Sequence, residues 1–460
     1  MSLKATSEAV AATQDIPETA SARLPTFAEA LRVWWTVGLL SFGGPAGQIA
    51  LLHREVVDKR NWVSDARFLH ALSFCNLLPG PEAQQLATYL GWLLHGVRGG
   101  LAAGVLFVLP GAVVMLALSV VYVVFGQVPL VAALFFGLKA AVLVLVVEAL
   151  LRVARRALKT GAAWAMAGAA FVALFAFGVP FPLVVLGAAL IGFLAPSAFR
   201  ASEHGKAKEG PPAVLDAVLA ADPGRPARLA SQAWRAGWAA VALWLLPVAL
   251  LMLAGGGVFA NIAWFFSVMA VVTVGGAYAV LAYIAQEAVQ GYGWLTADQM
   301  LVGLGLAETT PGPLILVLQF VGFLAGHGAG GIVYGVLASV LVLWVTFAPC
   351  FAWIFLGAPF VERLHGNQKL TGALAAVTAA VVGVILNLAL WFGLRVLFAD
   401  VREVRLGILE VDLPVLGSLD LLALGLAALA AVCVFWLKLG LVRTLGVTAA
   451  AGLVLKLILG

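Results

Sequence analysis

Glu308 stands three residues before Pro311-Gly312-Pro313, and Asn76 stands three residues before Pro79-Gly80-Pro81. Matched places thus offer an acid in one case and a neutral amide in the other. Burial raises a carboxyl pKa toward neutrality, so Glu308 is a candidate to carry a coupling proton. The alternative is that it caps local backbone or faces the external solution. Glu82, Gln84 and Gln85 fall on the first turn after Pro81. Gln84 and Gln85 are candidate donors to an oxyanion, which Glu82 repels unless protonated or paired.

Elements that position these groups must tolerate the prolines. A Pro within a helix removes a backbone donor and clashes with the preceding turn, at about 3 kcal/mol in water. Lipid supplies no water to repair the loss, so each break must face protein or a wet cavity. Ser64-Asp65 predicts the start of a helix running to about Leu78, with Pro81 as the first position of the next; Thr296 predicts a helix ending near Thr310, with Pro313 opening its successor. A second break lies upstream at Gly43-Gly44-Pro45, with Gly275-Gly276 as its counterpart. Arg32 before the first of these breaks and Arg54 after it both read as cytoplasmic, which a helix that enters, breaks and returns satisfies. Each half then contributes two half-helix tips whose free amides and dipoles present partial positive charge, an anion site built as in inverted-repeat transporters. Kinks without such meaning are common in membrane helices; repetition in register is what favours a site.

The surroundings are apolar. Of 460 residues, 63% are apolar and 11% charged, against about a quarter charged in soluble domains. With a mean hydropathy of +1.06, this is an integral membrane protein. Apolar stretches at Leu101 to Phe125, Leu130 to Leu151, Val258 to Ile284, Gly331 to Gly357, Thr371 to Leu394 and Leu421 to Leu437, with shorter ones added, predict about ten to twelve membrane segments. Cys75, Cys350 and Cys433 form neither a disulfide framework nor a metal pattern. The net charge of +5 is ordinary for a membrane protein and calls for no nucleic acid. Neither HExxH, GxSxG, CxxC nor Walker A is present, which leaves an enzyme or direct ATP drive without support; no cofactor is expected.

The chain repeats. A shift of 232 positions places Gly43-Gly44 on Gly275-Gly276, Glu55 on Glu287, Trp62 on Trp294, the two Pro-Gly-Pro runs on each other and His95-Gly96 on His327-Gly328, without a gap. Arg54, Lys59, Arg60 and Arg67 mark one loop as cytoplasmic while its counterpart has no Lys or Arg, and the following pair of loops reverses the bias: none in 126–129, but Arg363 and Lys369 in the other. Opposite bias at equivalent places makes the repeat inverted. Arg395, Arg402 and Arg405 lie where that topology wants an external loop, next to Asp400, Glu403 and Glu410. The expected fold is an all-α membrane protein of two inverted halves with broken or re-entrant helices. Its parts are a disordered cytoplasmic tail (1–26), a first repeat (27–199), a Pro- and Gly-rich cytoplasmic linker (200–235), a second repeat (236–398) and C-terminal membrane helices (399–460). Within the first repeat, 161–196 reads as a short helical hairpin turning at 179–182.

Other charges are candidates of a weaker kind. Arg54 and Arg98 are the cations nearest the breaks in sequence, as ligands or as interfacial anchors. Lys139 lies inside an apolar run and is a functional candidate by position. Glu148 suits Arg152 at i,i+4 better than it suits Lys139.

The blocks "SFGGPAGQIALLHREVVDKRNWVSDARFLHALSFCNLLPGPEAQQLATYLGWLLHG", "GGLAAGVLFVLPG", "GGAYAVLAYIAQEAVQ" and "GLAETTPGPLILVLQFVGF" resemble the chromate ion transporter family in its long, two-domain form. The resemblance covers most of Leu31 to Leu394. It implies a multi-pass protein of the bacterial inner membrane that exports chromate on the proton motive force, with sulfate as competitor. The family's recurrent motifs map onto Phe42, Gly43, Gly44, Pro45, Asn76, Pro79, Gly80, Pro81, Gly275, Gly276, Glu308, Pro311, Gly312 and Pro313. Rival readings are a carrier of sulfate or another oxyanion and, outside transport, a scramblase or membrane enzyme using Glu308 and Glu82 as acid and base. A monomer and a homodimer are both compatible with one chain carrying both repeats.

Overall fold

Thr26 opens the first helix with a capping box: its hydroxyl accepts from Glu29 N while Glu29 reaches back to Thr26 N. That helix, Phe27–Leu40, ends at the Gly-Gly break, and Gly44–His53 follows with Gly43 as its N-cap. The computed structural model describes residues 23–199, 213–273, 277–358, 368–406 and 409–459. A single π turn, Arg54–Asp58, leads to the helix Asp65–Cys75, with Ser64 at its N-cap; the helix stops three residues short of Leu78 because Pro79 lies ahead. Beyond the proline run the chain is helical from Glu82 to Phe125 except at His95 and Gly96.

This stretch is two helices folded on each other. Gly96 has φ 64°, and a Cβ on Gly91 would lie 2.4 Å from Gly99 O. Only glycine permits that approach, so 82–94 packs antiparallel on 97–125. At ~1.5 Å per residue the segment 82–94 is about 20 Å long, short of the ~30 Å hydrocarbon core. The second half does the same: 317–329 folds back on 332–357 through Gly331 at φ 79°, and a Cβ on Gly326 would lie 2.4 Å from Tyr334 O. The fold-back falls at Gly330-Gly331, three residues after the His327-Gly328 that the ungapped register matches to His95-Gly96. The register therefore slips beyond the second Pro-Gly-Pro, where a short 3-10 turn, Leu314–Leu316, precedes the helix.

Among the described residues six helical stretches are long and apolar enough to cross a membrane by length and composition, two of them being these folded-back pairs; the apolar helices Gly161–Phe175, Phe181–Leu194, Val258–Val272 and Leu421–Trp436 are shorter. Large apolar side chains face outward, among them Leu253 (84% exposed), Trp436 (83%) and Leu194 (72%), a surface suited to lipid and not to water.

The halves interlock. The helices 161–175 and 181–194 of the first half pack on Gln368–Leu397 of the second, and Leu421–Ala431 with Leu441–Leu459 pack in turn on Pro129–Ala157 of the first. Gly80 N donates to Thr273 O, and Gly312 N donates to Ser41 O, both at 2.8 Å. Each Pro-Gly-Pro is thus tied to the residue two positions ahead of the other half's Gly-Gly pair, and the two ties join positions that the 232 shift matches.

Two features add to the expected helical fold. The chain is not wholly helical: Val401–Leu406 and Leu409–Pro414 pair as an antiparallel hairpin, with Arg402 opposite Leu413 and Glu403 opposite Asp412. Arg395 is held there by Asp412 at 3.0 Å and lies over the Trp391 ring. The stretch assigned to the linker also carries structure. Ala221 ends a short helix begun at Val214, and Arg225–Leu253 starts inside the stretch, with Pro226 in its first turn, where proline favours a helix rather than breaking one. Val214 N and Leu215 N donate to Asn61 O and Trp62 O, and Arg67 pairs with Asp216 at 2.8 Å. Residues 1–22 and 200–212 lie outside the described residues. The hairpin expected in 161–196 is present, its turn spanning 176–180.

Candidate functional site

Gly43 and Gly44 adopt φ 86° and 71°, left-handed values that glycine takes without strain, and no side chain caps the helix they start. The first amides of that helix have no intrahelical acceptor. Around them lies a cavity of about 380 Å³, lined also by Glu148, Arg152, Glu308 and Lys438. Four separate elements supply these groups. Gly43 and Gly44 come from the first break. Glu148 and Arg152 come from Pro129–Ala157, Glu308 from the end of Ala297–Thr309, and Lys438 from the turn between the last two helices.

The charges are balanced. Arg152 pairs with Glu148 at 2.5 Å, one turn apart on the same helix. Glu308 is 7% exposed. Lys438 has φ 49°, unusual for a side chain with a Cβ, just after the π turn Val432–Trp436. Two cations, two carboxylates and a helix N-terminus thus face one space.

The remaining sequence candidates do not line this cavity. Gly80, Pro81, Gly312 and Pro313 are buried. Gln85 Nε2 donates to Pro79 O at 2.7 Å and Gln84 Nε2 to Thr88 Oγ1 at 3.1 Å; both glutamines are fully buried and serve the broken backbone. Pro45 sits in the first turn of its helix, Asn76 ends Asp65–Cys75 on the surface, and Glu82 is half-buried at the start of 82–94. Arg54, 55% exposed, stands 3.7 Å from the buried Glu55, which Lys59 and Arg60 also hold. Arg98 lines a different cavity. Lys139 pairs with Asp298 at 2.9 Å. Gly275 and Gly276 lie outside the described residues. Gln48 was not foreseen: buried, it donates to Gly312 O at 2.6 Å and fixes the first break against the second Pro-Gly-Pro. Its matched position, Val280, is apolar, so the repeat gave no cue.

The chain matches the family model described as chromate transporter twice, over residues 28–193 and 260–455. The second match runs past the hairpin into the last helix, beyond the boundary at residue 398 drawn from the sequence. The chromate transport protein of Pseudomonas aeruginosa is 36% identical over 354 residues, 76% of each chain. A probable chromate transport protein of Synechococcus elongatus is 27% identical over 76% of this chain and 80% of its own. An uncharacterized transporter of Bacillus subtilis is 31% identical over 163 residues, 35% of this chain but 82% of its own. No solved structure matches.

Proposed function

We propose that this chain, which belongs to the chromate transporter family, carries chromate out of the cell through the cavity at Gly43 and Gly44. The family is one of transporters rather than enzymes. One observation carries the assignment of the site: Gly43, Gly44 and Glu308, singled out by the repeat and far apart in sequence, line one cavity with Arg152 and Lys438.

Chromate is a tetrahedral dianion. Free amides of the Gly44–His53 helix and its dipole favour one edge of oxygens, and Arg152 and Lys438 supply positive charge at others. With both carboxylates ionised the lining side chains sum to zero. A proton on Glu308 leaves one net positive charge, so anion binding and protonation of Glu308 favour each other, and reciprocally. Direction follows from sign: a dianion leaving an inside-negative cell gains about 2.3 kcal/mol per charge per 100 mV, and a complex carrying one proton still leaves with net negative charge.

Supporting this reading are helices too short to cross, a fold-back in each half after its Pro-Gly-Pro, and halves that exchange terminal helices; these fit an inverted repeat with re-entrant segments whose rocking exposes the site to either side. Sulfate shares charge and shape with chromate, so the same groups accept it as competitor. Labelled chromate uptake into inverted bacterial membrane vesicles tests the reading. Uptake that collapses with a protonophore and is reduced by excess sulfate is expected; sulfate flux without chromate flux would replace the substrate, and flux of neither would refute transport.

A further inference from the structure

A second, larger cavity of about 860 Å³ shares no lining residue with the Gly43–Gly44 cavity. It is an open concavity bordered by the N-terminal segment 23–27, the fold-back turn 94–98 and the connection between the halves around 218–232. Arg23, Arg98, Arg225 and Arg228 line it with His95 and Gln232, and among the described residues no carboxylate does.

Two of these groups are positioned by the fold. Arg225 Nη2 donates to Leu94 O at 2.7 Å and Leu93 O at 3.3 Å, the last carbonyls of the short helix 82–94, where a cation suits the dipole. His95 Nε2 donates to Pro25 O at 2.7 Å and its ring packs edge-on to Phe27, holding the N-terminal segment to the same turn. Arg228 pairs with Asp222, which offsets one of the four charges. The surplus positive charge sits within one concave space, and guanidinium forks match phosphate oxygens in pairs.

Depth identifies the source of the phosphate. Trp234 and Trp238 lie further along the helix that carries Arg225 and Arg228, and both are exposed. Tryptophan gathers at the membrane interface. Arg228 lies about 9 Å beyond Trp234 along the axis, at ~1.5 Å per residue, the level of lipid headgroups, where basic pockets between membrane helices take anionic headgroups. We propose that this cavity binds the phosphate of an anionic phospholipid headgroup, which clamps the N-terminal segment and the inter-half connection onto the turn of the helix 82–94.

The test uses the full chain in nanodiscs of phosphatidylcholine alone or with phosphatidylglycerol, read by thermal unfolding. Phosphatidylglycerol should raise the Tm of the native protein, and the rise should fall by more than half in R98Q/R228Q, with R98Q as the milder variant if the double variant already unfolds at lower temperature in phosphatidylcholine. Stabilisation of the native protein by inorganic phosphate alone, lost in the variant, would overturn the lipid as the source and leave a site for a soluble phosphate compound. Equal stabilisation of native and variant proteins by phosphatidylglycerol, or of neither, would overturn the site. This readout is independent of chromate flux, so its failure and that of the transport reading are separable.

Discussion

At the scale of residues, the cavity brings Arg152 and Lys438 together with Glu148 and Glu308, and the proposed function gives Glu308 the coupling proton. Glu308→Gln removes the exchangeable proton: chromate transport should persist and lose part of its dependence on pH, measured as initial rates in vesicles, whereas an unchanged pH profile would remove Glu308 from the coupling. Gly44 is a test of backbone. Its φ of 71° costs an L-residue about 1–2 kcal/mol, yet a Cβ there would meet nothing within 4 Å, so Gly44→Leu should insert and fold while its side chain fills the anion's space. Transport should be lost with the protein still present in the membrane; full activity would refute binding at this helix tip. Gly43-Gly44 stood out in the sequence because the repeat carries the pair twice, and Glu308 because it is the acid three residues before the repeated Pro-Gly-Pro, where the other half has Asn76. Lys438 and Arg152 were not, since no spacing within their own segments relates them to residues hundreds of positions away.

Helices and their connections carry the second set of consequences. The breaks hold each other: Gly312 is fixed by Ser41 O and by Gln48, and Gly80 by Thr273 O. Gln48→Leu leaves the buried Gly312 O with one donor fewer and should lower stability by about 1–3 kcal/mol, seen as a lower Tm in detergent. The connection between the halves is docked by Arg67 and Asp216. Burial pushes the Asp216 carboxyl up, but hydrogen bonds from Ser64 and Arg67 outweigh it, and its pKa is lowered. A lowered pKa contributes stability that is full above the ordinary carboxylate value and is lost as pH falls through the folded value. Hydrogen exchange in 213–221 should therefore rise on acidification, and in Asp216→Asn it should be raised at neutral pH as well. The fold-back at Gly96 left signs in the sequence, His95, Arg98 and Gly99-Gly100 ahead of the apolar stretch from Leu101, and His327-Gly328 marked the second one three residues early, but neither sign said that the two helices fold onto each other. The hairpin 401–414 did leave a signal, the strict alternation of Leu409 to Pro414, but its arginines were weighed only as loop charges.

The whole molecule is held together by exchange: each half covers a long helix of the other with its own terminal helix pair. Neither half then has, by itself, the partner helices that its covered faces pack against. Residues 1–199 and 200–460 produced separately should be degraded or aggregate, and produced together should co-purify; a first half that is stable by itself would contradict the interlock. The two-fold repeat was legible because polar landmarks recur in one register, whereas the exchange was not, since hydrophobic helices of similar length give no sign of which partner they will cover. The central claim, that the Gly43–Gly44 cavity is the anion site, is tested most directly by equilibrium binding of labelled chromate to purified native protein and to Lys438→Gln. Lys438 lies in a surface turn, so the variant should fold, and removing a cation from the cavity should weaken binding by about ten-fold, roughly 1.4 kcal/mol. Unchanged affinity in Lys438→Gln would place the anion elsewhere.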